Sequence, residues 1–136
     1  MSANVELTDA QRKFLDGAQL AVLVTLNADG SPQSSPVWVG LDGDELVVST
    51  QAGRRKDRNL RRDPRVSLTV VDPSDPERYT EVRGTATVAE DVGRAVAASL
   101  GEKYHGEGGG QTYLDLPPEV VRVVIRITPQ HVAGRI

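Results

Sequence analysis

The sequence has no cysteine among its 136 residues. That absence excludes a disulfide framework, a thiol nucleophile, an iron–sulfur cluster and a thiolate zinc site together. Histidine is almost as scarce, with only His105 and His131, so no metal centre is expected. Aromatic residues make up only 4% of the chain, which leaves the core to Val, Leu, Ala and Ile and singles out the one tryptophan, Trp38. No run of 18 apolar residues occurs, and the opening MSANVELTDAQRK has neither a charged n-region nor an apolar h-region. The expectation is a soluble, cytoplasmic protein with no membrane partner. The familiar catalytic signatures are missing too: GxSxG, HExxH, CxxC, GxGxxG and the Walker sequence.

What is present reads as one domain over residues 1–136, with 38% hydrophobic residues in short blocks along the chain. Thr8 caps a short helix carrying Phe14 and Leu15, which Gly17 ends. Leu20 to Leu26 is an almost continuously apolar strand. Asp29-Gly30 and Asp42-Gly43 mark hairpins on either side of a second strand, Gln33 to Leu41, with Leu46 to Thr50 as the third. A basic helix, Arg54 to Asp63, is stopped by Pro64; strands follow at Val66 to Val71 and Tyr79 to Val88, where Gly84 marks a bulge or a close backbone approach. A helix at Asp91 to Lys103 turns Val92, Ala95, Val96 and Leu100 to the sheet. After a flexible glycine loop, Gly106 to Gly110, the sixth strand runs from Glu119 to Ile127. It places Val121, Val123, Ile125 and Ile127 on one face and Arg122 and Arg126 on the other. Hairpin-linked strands without a βαβ repeat predict a mainly β, antiparallel, six-stranded barrel-like α+β domain with short flanking helices. The final strand and the surroundings of Trp38 are apolar enough that dimerisation would cover them.

Charge is unevenly placed. Between Arg54 and Arg65 lie seven basic and two acidic residues, a net +5 on a chain whose total is −3, so the remainder carries −8. Arg54, Arg55 and Lys56 fall in the first helical turn, where unsatisfied N–H groups already carry partial positive charge. A phosphate or carboxylate there would meet backbone donors and side-chain cations together. The alternative is a solvated basic face with Asp57 pairing Arg61, and Arg61, Arg62 and Arg65 are surface or interface charges on either reading. Nucleic acid is not the expected partner, because the cationic segment lacks interleaved aromatics and the rest of the chain is acidic. His105 sits at a helix end and Glu90-Asp91 at a helix start, where each complements the macrodipole. In the second strand, PQSSPVWVG sets prolines that interrupt ladder bonding beside Trp38, which reads either as core or as a site residue. Ser49 and Thr50 lead from the third strand into the basic turn. A planar ring over these strands with an anionic tail on the basic turn makes a coherent site.

The run GSPQSSPVWVGLDGDELVVSTQAGRRKDRNLRRDPRVSLTVVDP, Gly30 to Pro73, with RYTEVRGTATV at Arg78 to Val88, resembles the pyridoxamine 5'-phosphate oxidase-like split β-barrel flavoproteins. More narrowly it resembles their F420-dependent flavin/deazaflavin oxidoreductase branch, and GRRKDRNLRRDPR is the most distinctive part. The resemblance implies an FMN-binding-type split barrel and a homodimer with cofactor sites at the interface. It places Gln33, Ser35, Pro36, Val37 and Trp38 near the ring, Ser49 and Thr50 at the ribityl part, and Arg54, Lys56 and Asn59 on the phosphate, with Arg55 adjacent. No protein acid or base is implied. The expected function is hydride transfer between reduced F420 and a small conjugated or unsaturated acceptor. The alternatives are an FMN-binding oxidoreductase and a non-catalytic F420- or flavin-binding protein. The loops at Asp72 to Glu77 and near Gly106 are the candidate lids.

Overall fold

The computed structural model describes residues 4–136. Helix α1, Asp9–Asp16, opens with a reciprocal cap: Gln11 N donates to Thr8 Oγ1 and Thr8 N donates to Gln11 Oε1. It buries Phe14 and Leu15, as its pattern predicts. The strands are β1 Leu20–Leu26, β2 Pro32–Val37, β3 Gly40–Asp42, β4 Glu45–Gln51, β5 Arg65–Asp72, β6 Asp75–Glu90 and β7 Arg122–Arg135. They form one antiparallel sheet in the order β2-β1-β5-β6-β7-β4-β3. Its two edge strands, β2 and β3, are joined through Trp38 and Val39 alone, so the sheet must curl until its ends meet. The result is a split barrel filled by alternating inward residues, among them Leu23, Leu46, Val48, Leu68, Val70, Val82, Ile125 and Ile127. Each such side chain contributes about 1.5–3 kcal/mol by leaving water.

Seven strands replace the expected six because the second breaks at Trp38–Val39: β2 pairs only with β1, and β3 only with β4. Val39 donates its backbone N–H to the Tyr104 hydroxyl (3.2 Å) rather than to a strand, so the chain changes partner without stranding a buried donor. The expected three-strand meander is therefore two separate hairpins at opposite ends of the sheet. Strands β6 and β7 are longer than predicted, pairing from Tyr79↔Arg135 to Glu90↔Val123. The register shifts between Arg83 and Gly84, where a Cβ on Gly84 would lie 2.0 Å from the Thr128 carbonyl oxygen. Close approach is what the glycine permits. The acidic stretch read as a lid is the β5–β6 hairpin: Asp72 ends β5, Asp75 to Glu77 open β6, and the turn between them is tied down, Asp72 accepting from Ser74 N, Ser74 Oγ and Arg78 Nη1.

The predicted helix 91–103 is corrected to a 3₁₀ turn, Val92–Arg94, followed by helix α3, Ala95–His105. Gly93 and Arg94 both take positive φ (67° and 54°), which resets the helical phase. Ala97, Leu100 and Gly101 face inward: of the expected face Leu100 is buried, whereas Val92 is 79% exposed, Ala95 is exposed and Val96 only half-buried. The buried Asp91 carboxylate accepts from Val96 N and Ala97 N (3.0 and 2.9 Å) and so caps α3. The glycine loop is packed rather than free: a Cβ on Gly110 would meet the Ala98 carbonyl oxygen at 2.4 Å, and one on Gly101 the Gly109 oxygen at 2.5 Å. It continues into a short helix α4, Gln111–Leu114. No helix among the described residues is long and apolar enough to cross a membrane.

Candidate functional site

A groove of about 680 Å³ opens where the ends of β1, β2 and β4 meet α3 and α4. Its cationic wall begins with the turn after β4. The basic helix is α2, Arg55–Arg62, anchored by buried Leu60. Asn59 Nδ2 donates to Thr25 Oγ1 (3.0 Å) and Asn27 Oδ1 (3.1 Å), and Arg62 donates to the Leu26 carbonyl (2.7 Å), which pins α2 to the end of β1. Asp57, buried in the first turn, accepts from Gly53 N (2.7 Å) and Arg61 Nε (2.6 Å). The Asp57–Arg61 pair of the solvated-face reading is thus present, yet the same carboxylate fixes the turn that carries Arg54 to the groove.

Arg54, Lys56 and Arg122 line the groove, and among the described residues none forms a salt bridge. Lys56 Nζ donates to Ser35 Oγ (3.1 Å) and Arg122 Nη2 to Ser49 Oγ (2.9 Å). Burial holds the Lys56 ammonium below its ordinary pKa, and the charges of Arg54 and Arg122 push it further down. Arg122 is also lowered, chiefly by burial and in smaller part by Arg54, against an upward pull from Tyr113 and Asp91. Arg122 Nε is buried with no hydrogen-bond partner. Three mutually repelling cations with an orphaned donor are stabilised by an anion, which would neutralise the repulsion and accept that hydrogen bond.

The groove's other end is aromatic. Trp38 stacks on Tyr104 (centroids 5.2 Å, planes 10° apart) and meets His105 and Tyr113 edge-on at 4.8 and 6.3 Å. Trp38 is therefore half-buried in the site's wall rather than core. Helix α3 staples this corner: Tyr104 donates to the Gln19 carbonyl (2.9 Å), and Lys103 Nζ to the carbonyls of Leu15 (2.9 Å) and Val39 (2.6 Å). The Arg122 guanidinium lies 5.2 Å from the Tyr113 ring centroid and links the two ends.

Of the residues read from the sequence, Pro36, Val37, Trp38, Ser49, Thr50, Arg54 and Lys56 line the groove, and Ser35 touches it through Lys56. Asn59 does not reach it, being fully buried among Thr25, Asn27 and Arg62; its place in the GRRKDRNL string reflects helix anchoring. Gln33 lies near the far end of β2 beside Thr25, and Arg55 is exposed outside the groove. The sequence reading missed Tyr104, Tyr113 and the inward role of Arg122. The available signal for Arg122 was a lone arginine among valines at the start of the last strand. His131 stands apart, beside Arg83 in the β6–β7 ladder. No cluster of three or more His, Asp or Glu suited to a metal occurs among the described residues.

A curled antiparallel sheet closed by one short corner, with a cation-lined groove along its open seam, defines a split-barrel protein. Residues 7–135 match the family model described as pyridoxamine 5'-phosphate oxidase, and the chain belongs to that family. It is 30% identical over 136 residues to an F420H(2)-dependent biliverdin reductase of Mycobacterium tuberculosis (strain CDC 1551 / Oshkosh), covering 98% of this chain and 92% of the relative. A solved F420 reductase superposes with a TM-score of 0.76 at 28% identity, covering 93% of this chain and 98% of that one. A conserved hypothetical protein from Mycobacterium tuberculosis follows at a TM-score of 0.75 and 26% identity, covering 96% and 85%. Within the family the chain is an oxidoreductase.

Proposed function

We propose that the protein is an F420-dependent reductase that passes a hydride from reduced F420 to a small conjugated or unsaturated acceptor. The observation that carries this reading is the unpaired set Arg54, Lys56 and Arg122 at one end of a groove whose other end is aromatic. Its support from outside the site is the similarity to the two F420-named proteins. The residues fit the cofactor: the three cations would hold its phosphate, Ser49 and Thr50 its ribityl hydroxyls, and Pro36, Val37 and Trp38 its ring. When bound, F420 supplies the hydride, while the chain orients the ring and excludes water from one face. Arg55 and Arg58 are exposed on α2 and can meet the carboxylates of a polyglutamate tail. FMN is the second reading, because the phosphate end alone would serve it equally.

The reading includes a homodimer. Leu20 is 62% and Val22 41% exposed on the outer face of β1, and both border the groove. A second copy over this face would cover them and close the open side of the site.

Titration of the apo-protein with oxidised F420 and with FMN, followed by fluorescence, tests the cofactor. F420 is expected to bind more tightly, with a preference that shrinks between about 0.05 and 0.5 M salt as exposed tail contacts are screened. FMN binding at least as tightly at low salt would promote the second reading. Sedimentation at micromolar concentration tests the dimer, and a monomer would refute it.

A further inference from the structure

Building on that hydride-transfer reading, we infer that Tyr113 is the proton donor to the acceptor. Adding a hydride to a conjugated carbonyl compound leaves negative charge on the acceptor oxygen, which a positioned acid in the groove would neutralise. The ionisable groups lining the groove are Arg54, Lys56, Tyr104, Tyr113 and Arg122. A guanidinium does not release its proton near neutrality. Lys56 belongs to the cationic end and is bonded to Ser35. The Tyr104 hydroxyl is occupied on both sides, accepting from Val39 N and donating to the Gln19 carbonyl. Tyr113 alone among these groups has an uncommitted phenol: its hydroxyl makes no hydrogen bond among the described residues, although its backbone does. Its ring lies between the two ends of the site, edge-on to Trp38 and under the Arg122 guanidinium.

The backbone that carries Tyr113 is fixed with unusual care. Arg94 is the one non-glycine residue with positive φ among those described, at 54°. From there its guanidinium reaches the carbonyls of Tyr113 (3.5 Å), Leu116 (2.6 Å), Pro117 (2.5 Å) and Val120 (2.9 Å). Together with the Gly110 contact on α3, this holds α4 against the groove. Strained backbone with a four-carbonyl clamp is what a positioned side chain requires. The charged groups around Tyr113 are Arg122 from β7 and Arg94 ahead of α3, with His105 of α3 also against Trp38 and Asp91 engaged at the α3 N-terminus.

The step balances simply. The acceptor's β-carbon gains a hydride with its electron pair from the reduced cofactor, and the conjugated π pair moves onto the carbonyl oxygen. The Tyr113 O–H bond breaks, its proton joins that oxygen, and the tyrosinate regains a proton from water. Two electrons and two protons' worth of hydrogen reach the acceptor.

The test compares wild type with Tyr113→Phe, which keeps the ring against Trp38 and Arg122, using menadione and 2-cyclohexen-1-one as acceptor probes. Oxidised F420 should bind both proteins within about twofold, because the phenol does not hold the cofactor. Menadione binding to protein carrying oxidised F420, a complex that cannot react, should weaken about fivefold on loss of one hydrogen bond. The single-turnover rate at pH 7 should fall about 100-fold. Unchanged rate and menadione affinity in Tyr113→Phe would overturn the assignment while leaving the cofactor reading intact. Failure of wild type to bind F420, or to reduce either probe when loaded, would remove the assignment along with the activity it rests on.

Discussion

Replacing Lys56 by methionine should move stability and binding in opposite directions. In the apo-protein Lys56 is part of a cationic triad with Arg54 and Arg122, and burial and those two charges hold its pKa below 10.5. A lysine depressed in this way works against the fold while it is charged. Between its lowered value and 10.5 the unfolded chain binds more protons than the folded one, so apo-protein stability rises with pH in that window. Below the lowered value both states are charged and the penalty is fully present. Methionine keeps the apolar stem and removes the charge, so the variant should be more stable at pH 7, by a few tenths to about 1 kcal/mol for a half-exposed group in a screened site. That corresponds to a rise in melting temperature of about 1–5 °C for a domain of this size. Cofactor affinity should fall by about 1.5–3 kcal/mol, the worth of one charge-assisted phosphate contact, or roughly one to two powers of ten in Kd. The linkage reverses in the complex: a bound anion favours the ammonium, so wild-type affinity should decline as pH rises through the depressed Lys56 value, and the variant should show no such decline. Thermal melts across pH 6–11 and fluorescence titrations with F420 read both quantities. If Lys56→Met lost stability and kept its affinity, the triad would not be the anion site.

Two structural substitutions probe the frame around the groove. Gly84→Ala would force a Cβ to within 2.0 Å of the Thr128 oxygen, backbone that cannot yield, and should destabilise the protein by about 2–4 kcal/mol in denaturant titration; a loss under about 0.5 kcal/mol would refute the close approach. Arg94→Ala removes the clamp on four carbonyls, so amide exchange across 113–120 should accelerate at least tenfold while the core strands keep their protection. Uniform exchange in that variant and the wild type would show that α4 is held by its glycine contacts alone.

The sequence by itself determined the elements whose cause is local. Alternating Val, Leu and Ile at period two decided which strand faces fill the barrel, as at Val123, Ile125 and Ile127. Thr8 and Gln11 settled the start of α1, Pro64 limited α2, and Gly84 announced a close approach. The cationic cluster and the groove-lining stretch Pro36 to Trp38 were legible for the same reason: charge density and strand prolines are properties of contiguous residues. What the sequence left open depended on partners far along the chain. Only the curled sheet decides that Trp38–Val39 is a corner, because the Val39 amide finds its acceptor on Tyr104, 65 residues away. Only the β4–β7 pairing turns Arg122 toward Ser49, with which it closes the cationic wall. Asn59 belongs to the same motif as Lys56 yet points into the structure: the two lie three residues apart, only about 60° around the helix, and tertiary packing alone says which of them meets the groove and which meets Thr25 and Asn27. The helix at Ala95 was misphased because two positive-φ residues, Gly93 and Arg94, interrupt the period, and their backbone geometry is stabilised by carbonyls 19 to 26 residues downstream. Periodicity reports what each segment buries; which distant groups satisfy its backbone and charges is a fact of three-dimensional assembly.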